Sequence, residues 1–337
     1  MFFVLNKEWY LYSIQLPAEF IGIVWCDLNY EKKEFSMDNI KEKVKIMNLA
    51  YKYYKENTEY LHLQYVVNRL QDLIDNNKDV TLIVGSSYSR NAIDPTFFKN
   101  AINCSIGGQD LYYSYILCDK MIKKGINIKT IVCFLGYYSL FHELIQQKNC
   151  QDVVLNILKP VIDDTPYNLN MSSSIYDGCR ESVYKLSCEI QENRKHYYND
   201  INQRKTLILN TVKRWADYTE EEKKKACIER AQAHNRMEKY KNSLKNNILL
   251  LNQFHQELNN RGIRFVAVIP PFSEHYIQYI SRTMKDGIIA VLKEQNIEYI
   301  DFNELKIVDD NDLVDMDHLN GRGAYKLSSF LSDYLNK

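Results

Sequence analysis

Glycine and proline are scarce in this chain, 11 and 6 among 337 residues. So few turn-formers argue against a sandwich or barrel of many short strands, and for long helices. Net charge is missing too. Lys plus Arg and Asp plus Glu each number 43, so no global field favours nucleic acid or an acidic surface. Cysteines stand at 26, 104, 118, 133, 150, 179, 188 and 227, and no pair takes C-x-x-C spacing. That leaves a zinc reading weak and makes buried, reduced thiols and a cytoplasmic location the expectation. No run of about 18 apolar residues occurs, so no membrane span is expected. Met1-Phe2-Phe3-Val4-Leu5 meets Lys7 and Glu8 too early for a secretory leader.

What is present is an ordinary soluble composition, 45% apolar and 26% charged, with an unusual 26 tyrosines. Residues 1–77 read as an N-terminal extension. Trp9, Tyr10, Tyr12, Ile14 and Leu16 suggest an extended or hairpin-like start, and from Ser36 onward helical spacing takes over through Leu73. Five strands of a parallel sheet follow: Val80 to Val84, Ala101 to Cys104, Thr130 to Leu135, Arg264 to Ile269 and Ile297 to Phe302. The runs Ile131-Val132-Cys133-Phe134-Leu135 and Phe265-Val266-Ala267-Val268-Ile269 suit strands covered on both faces. Helical patterns at Leu111 to Lys123, Asn246 to Asn260, Tyr279 to Glu294 and Gly321 to Asn336 complete the alternation. This predicts a flavodoxin-like, three-layer α/β/α domain with a central parallel sheet, built from 78–140 and 243–337.

The rhythm breaks over 141–242, a polar and mostly helical stretch too long for a simple connection. It reads as a helical insertion or lid. Within it Thr219-x-x-Glu222 has the form of a capping box, and Glu220–Lys224 and Glu221–Lys225 have ion-pair spacing on a solvated helix face.

The strand Thr81-Leu82-Ile83-Val84 ends in Gly85-Ser86-Ser87. A hydroxyl at the carboxyl end of a strand in an open α/β sheet faces ligands and stands near unpaired N–H groups. A serine there is also a common helix cap. The second chemical stretch is Asp315-Met316-Asp317-His318. A carboxylate three residues before a histidine can hold the Nδ1 proton and leave Nε2 to take a proton from a serine. Asp317, the neighbour of the histidine, is expected to point elsewhere and is the alternative partner.

Gly85-Ser86-Ser87 with Asp315-x-x-His318 far downstream resembles the first and last blocks of the SGNH/GDSL hydrolase superfamily. The Gly-Ser-Ser variant and Ile269-Pro270-Pro271 are similar to the branch containing D-alanyl-transfer and alginate-acetylation proteins. The resemblance implies Ser87 as nucleophile, His318 as general base and Asp315 as its orienter. It implies oxyanion donors at the Ser87 backbone and at Gly108 or, second, Gly107. The third block, normally Gly-x-Asn, falls on Gly136-Tyr137-Tyr138. Tyrosine stands where an amide donor belongs, so Tyr138 or Ser139 would have to substitute. Arg90, Ser139 and Ser273 are candidate substrate contacts, and no metal or cofactor is implied.

The expected activity is therefore a serine esterase or acyltransferase acting on a small-molecule or glycan ester, with envelope or capsular glycan precursors suggested by the resemblance. A catalytically impaired binding or scaffold protein on the same fold is the competing class. A phosphate-binding flavodoxin-like protein comes third, since no Walker lysine motif or G-x-G-x-x-G fingerprint is present.

Overall fold

The protein is described by a computed structural model covering residues 2–5, 8–11, 78–94, 97–146 and 214–336. The helices expected between Ser36 and Leu73 and most of the insertion lie outside the described residues. Two compact units are present, Met1–Leu61 with Leu169–Tyr197, and His62–Asn168 with Tyr198–Lys337. In the first, β1 (Phe2–Leu5) and β2 (Glu8–Leu11) pair antiparallel, with Phe2 opposite Leu11.

The second unit holds five parallel strands: β3 (Val80–Val84), β4 (Ala101–Asn103), β5 (Ile128–Phe134), β6 (Arg264–Ile269) and β7 (Glu298–Asp301). They lie in the order β4-β3-β5-β6-β7. This is the flavodoxin-like arrangement, in which the first strand sits between the second and third. The connections leave β3 and β5 in opposite directions, which opens a crevice beyond their carboxyl ends. Gly85-Ser86-Ser87 follows β3 at that crevice.

The apolar runs account for the layering. Ile131, Val132, Cys133 and Phe134 of β5 and Val266, Ala267, Val268 and Ile269 of β6 are all buried. Each large aliphatic among them contributes about 1.5–3 kcal/mol by leaving water. Covering them are α1 (Ser87–Ala92), α2 (Leu111–Lys123), α3 (Glu220–Asn235), α4 (Lys241–Asn260), α5 (Glu274–Tyr279), α6 (Arg282–Glu294), α7 (Phe302–Leu305) and α8 (Gly321–Leu335). In α4 the buried Asn247, Leu251, Phe254 and Leu258 form one stripe at helical spacing. α2 packs on α4, and α1 packs on α8.

Several expected boundaries differ: β5 begins at Ile128, ahead of Thr130, and α4 at Lys241, ahead of Asn246, and two further differences have a plain cause. The helix read from Tyr279 to Glu294 is broken at Ile280 and Ser281, with a short α5 before it. Ile280 is extended and buried, and anchoring it in the core outweighs continuing the helix. The last strand stops at Asp301 because its carboxylate turns to accept the Asn303 N–H and begins α7.

α3 begins with the expected capping box on Thr219 and Glu222. Its charged face is not wholly solvated. Lys223 is buried and reaches Glu220 at 3.3 Å and Asp310 at 2.8 Å, anchoring α3 to the loop before α8. Cys227 and Ala231 on the same helix join the hydrophobic core. No helix among the described residues is long and apolar enough to cross a membrane.

Candidate active site

The chain must turn sharply after β3, and Gly85 makes the turn at φ +143°. A Cβ at this position would come within 2.9 Å of the Phe134 carbonyl oxygen and 2.7 Å of Ser89 Oγ. Only glycine fits. Ser86 caps α1, accepting from the Tyr88 N–H at 3.5 Å. The end of β4 braces the helix: Asn103 Nδ2 donates to the Ser89 carbonyl at 3.0 Å, and Ser105 Oγ lies 2.6 Å from Ser89 Oγ. Ser87 is thus the first residue of α1, half-buried, with its N–H among those a helix start leaves without an intrahelical acceptor.

The opposing loop is shaped by Asp315. Its Oδ1 accepts from the backbone N–H of Asp317 at 2.9 Å and of His318 at 2.8 Å, an Asx turn that fixes the histidine backbone. Leu313 and Leu319 bridge behind it, and Asn320 caps α8 through the Arg322 and Gly323 N–H groups.

These two pieces, 231 residues apart, meet at the crevice. Ser87 Oγ lies 2.9 Å from His318 Nε2. His318 Nδ1 donates to Asp315, at 3.0 Å from Oδ1 and 3.1 Å from Oδ2. Asp317 does not point elsewhere: its Oδ1 is also 3.0 Å from Nδ1. That oxygen is buried, and the better-aligned hydrogen bond from Nδ1 goes to Asp315, with Asp317 sharing the contact and adding its charge. The two acids sit in different surroundings, Asp315 with 40% of its side chain exposed and Asp317 with 1%.

Burial works against a charge on His318, but the two carboxylates outweigh it and push its pKa up to about 10. Burial equally opposes the Asp317 carboxylate, yet His318 and Arg230 hold it well below the usual range. When the ring is protonated, both of its nitrogens donate and Ser87 Oγ accepts.

Sequence reasoning missed what surrounds Asp317. Its Oδ2 accepts from the Tyr88 hydroxyl at 2.9 Å and from Arg230 Nε at 2.7 Å. Arg230 comes from α3, inside the stretch read as an insertion. On the same face of α3, His234 stacks on Tyr138 with ring centroids 4.0 Å apart, and its Nδ1 meets the Tyr276 hydroxyl at 2.5 Å. Burial, and then the Arg230 charge, push the His234 pKa down to about 3, so this ring is neutral. The only available signal was Cys227, Arg230, Ala231 and His234 at i, i+3, i+4 and i+7, which marks a face but not its partner.

The remaining candidates spread around the crevice. Gly107 and Gly108 form a half-buried turn after β4, Gly108 at φ +71°, and its carbonyl lies 3.1 Å from His142 Nε2. Tyr138 is buried, and its hydroxyl interacts with Tyr88 and Ser86. Ser139 is half-buried and lines a cavity of about 10 Å³ with Ser86, Gln109 and His142, room for one water. Arg90 is half-buried in the last turn of α1. Ser273 is 2% exposed and is the N-cap of α5, accepting from the Tyr276 N–H at 3.2 Å. As a buried cap it lines no open cleft, contrary to expectation.

Asp315, Asp317 and His318 each offer a ligand atom within 4.8 Å of the others. The Nδ1 proton and the Arg230 guanidinium already satisfy those charges, so we assign no metal to the cluster.

Fold and geometry together define a parallel α/β domain with a Ser-His-Asp constellation at its switch point. No protein-family model and no curated protein matches the chain. Among solved structures it is similar to a candidate acylhydrolase from Bacteroides fragilis, at 11% identity and TM-score 0.39 over 82% of this chain and 97% of that one. It is also similar to a GDSL-like lipase from Bacteroides thetaiotaomicron, at 11% and 0.38 over 82% and 98%. A third likeness is a candidate lipolytic protein of the G-D-S-L family from Desulfitobacterium hafniense, at 10% and 0.35 over 75% and 98%. At these values the likenesses carry no argument about activity.

Proposed function

We propose that this protein is a serine-dependent ester hydrolase or O-acyltransferase of the SGNH type, with Ser87, His318 and Asp315 as its triad. The observation that carries the reading is the 2.9 Å contact between Ser87 Oγ and His318 Nε2, with Nδ1 held by Asp315. Helix capping does not require it, because Ser86 already fills that role.

The reacting state is the one in which His318 has lost a proton. Nε2 then takes the Ser87 hydroxyl proton as Oγ attacks the ester carbonyl. The imidazolium that forms is stabilised by Asp315 and Asp317, and the developing oxyanion is met by the Ser87 N–H with Gly108, or Gly107, as the second donor. Nε2–H next protonates the leaving alkoxide, releasing an alcohol and an acyl-Ser87 ester. Water or an acceptor hydroxyl, deprotonated by Nε2, attacks that ester, and the proton returns to Ser87 Oγ. An ester on an envelope or capsular glycan precursor is the substrate class the sequence resemblance favours.

A second reading has specific support. A histidine held near pKa 10 is seldom neutral at pH 7, and the Tyr138 hydroxyl is engaged by its neighbours rather than standing free as an oxyanion donor. Both features fit a binding protein that keeps the fold with little turnover. Labelling with a fluorophosphonate separates the two. Wild type should form a covalent adduct on Ser87, lost in Ser87→Ala and His318→Ala. A folded wild-type protein that stays unlabelled from pH 6 to 10 would exclude the esterase reading.

A further inference from the structure

Asp317 is a second, buried carboxylate beside the triad's own acid, Asp315, at 3.0 Å from the same Nδ1. Three groups converge on it from three elements: His318 from its own loop, Tyr88 from α1 and Arg230 from α3. We propose that Arg230 is a positioning residue for the triad, holding the Asp317 carboxylate and thereby setting how tightly the His318 imidazole keeps its proton. This rests on the triad reading for its role in catalysis, but not for the protonation it describes.

The geometry gives the direction. Asp317 presents Oδ1 to the imidazole and Oδ2 to Arg230 Nε at 2.7 Å. A carboxylate shared with a guanidinium holds less charge for the histidine than one facing it alone. Tyr88 draws on the same oxygen at 2.9 Å. Among the described residues, the other titratable groups packed around the ring and its acids are Asp315 on the loop, Cys227 and His234 on α3, Tyr138 after β5 and Tyr276 on α5. His234 stays neutral, and burial pushes the tyrosines and the thiol upward. Among the described residues, Arg230 is therefore the cation that competes with His318 for Asp317. It also ties the protonation of the base to the seating of α3, outside the two motifs that form the triad.

The test is an NMR titration of the His318 ring in histidine-labelled full-length protein, its resonance assigned by its loss in His318→Gln. Arg230→Met should move the midpoint upward by on the order of one pH unit. The same change made in an Asp317→Asn background should not move it. An unchanged midpoint in Arg230→Met, or an equal shift in both backgrounds, overturns the proposal. If Arg230→Met does not fold, Tyr88→Phe removes one donor from the same carboxylate at constant charge and is read in the same way: an upward shift supports the proposal, none overturns it. A merely structural role for Arg230 would lower stability without displacing the midpoint. Fluorophosphonate labelling, run in parallel, judges the esterase reading separately, since a protein that never labels still gives a titration.

Discussion

Asp315→Asn puts the electrostatics of the triad to the most demanding test. The substitution is nearly isosteric and keeps an oxygen that can accept the Asp317 and His318 N–H groups, so the turn should survive. What it removes is one of two negative charges at 3.0 Å from Nδ1. With a pKa near 10, His318 is neutral in only about one molecule in a thousand at pH 7. Loss of an adjacent opposite charge lowers such a pKa by roughly 1–3 units. A drop of about two units would raise the neutral fraction at pH 7 roughly a hundredfold. Against this, the imidazolium formed during attack loses a stabilising partner, which should depress the plateau rate by roughly one to two orders of magnitude. The second-order rate of fluorophosphonate labelling, measured from pH 6 to 10.5, reads both effects. In wild type the rate should climb tenfold per pH unit and level off near pH 10. In Asp315→Asn it should level off about two units earlier and lower. The profiles then converge near neutrality and separate in base. A wild-type profile already flat above pH 7, or a variant with an unmoved midpoint, would refute the reasoning.

Two further outcomes are expected. Gly85→Ala forces a side chain onto the Phe134 carbonyl at a φ that L-residues avoid, so urea unfolding should show a loss of roughly 1–3 kcal/mol, and labelling of Ser87 should fall with it. His318 also links stability to pH. Its folded pKa is raised above the unfolded value of about 6.5, so its contribution is complete below pH 6.5 and fades as the pH rises through about 10. The stability advantage of wild type over His318→Gln should therefore shrink by roughly 2–4 kcal/mol between pH 6 and 9.5 in urea titrations, and an advantage that grows with pH would contradict the linkage.

The parts of this molecule that sequence discloses are those set by short-range periodicity. β3 and β6 fall where their apolar runs begin and end, and α2 and α8 where theirs do, because burial on a sheet or helix face is a repeating demand on neighbouring residues. The break at Ile280 and Ser281 was not legible, since a helix there loses only to the burial of one isoleucine at the start of its pattern. The Ser87–His318 pair was legible only through the spacing within each motif, Gly-Ser-Ser and Asp-x-x-His. Their meeting across 231 residues is a property of strand order. Arg230 shows the limit. A single arginine in a highly charged helix carries no mark of the buried acid it will face.

Asp317 is also where the expectation from local geometry failed, and the reason is instructive. Adjacent residues diverge on a helix, so a carboxylate next to a histidine should face away. Here the 315–318 segment is an Asx turn, not a helix. Folding the Asp315 side chain back onto two backbone N–H groups brings Asp317 to the same side as the imidazole. One carboxylate orients the ring and the other loads it with charge, and the two tasks have opposite effects on a general base. Orientation favours catalysis at every pH, while excess negative charge keeps the base protonated. Placing Arg230 and Tyr88 on the second acid and leaving the first half-exposed to water is the arrangement that retains orientation while limiting the charge the imidazole feels.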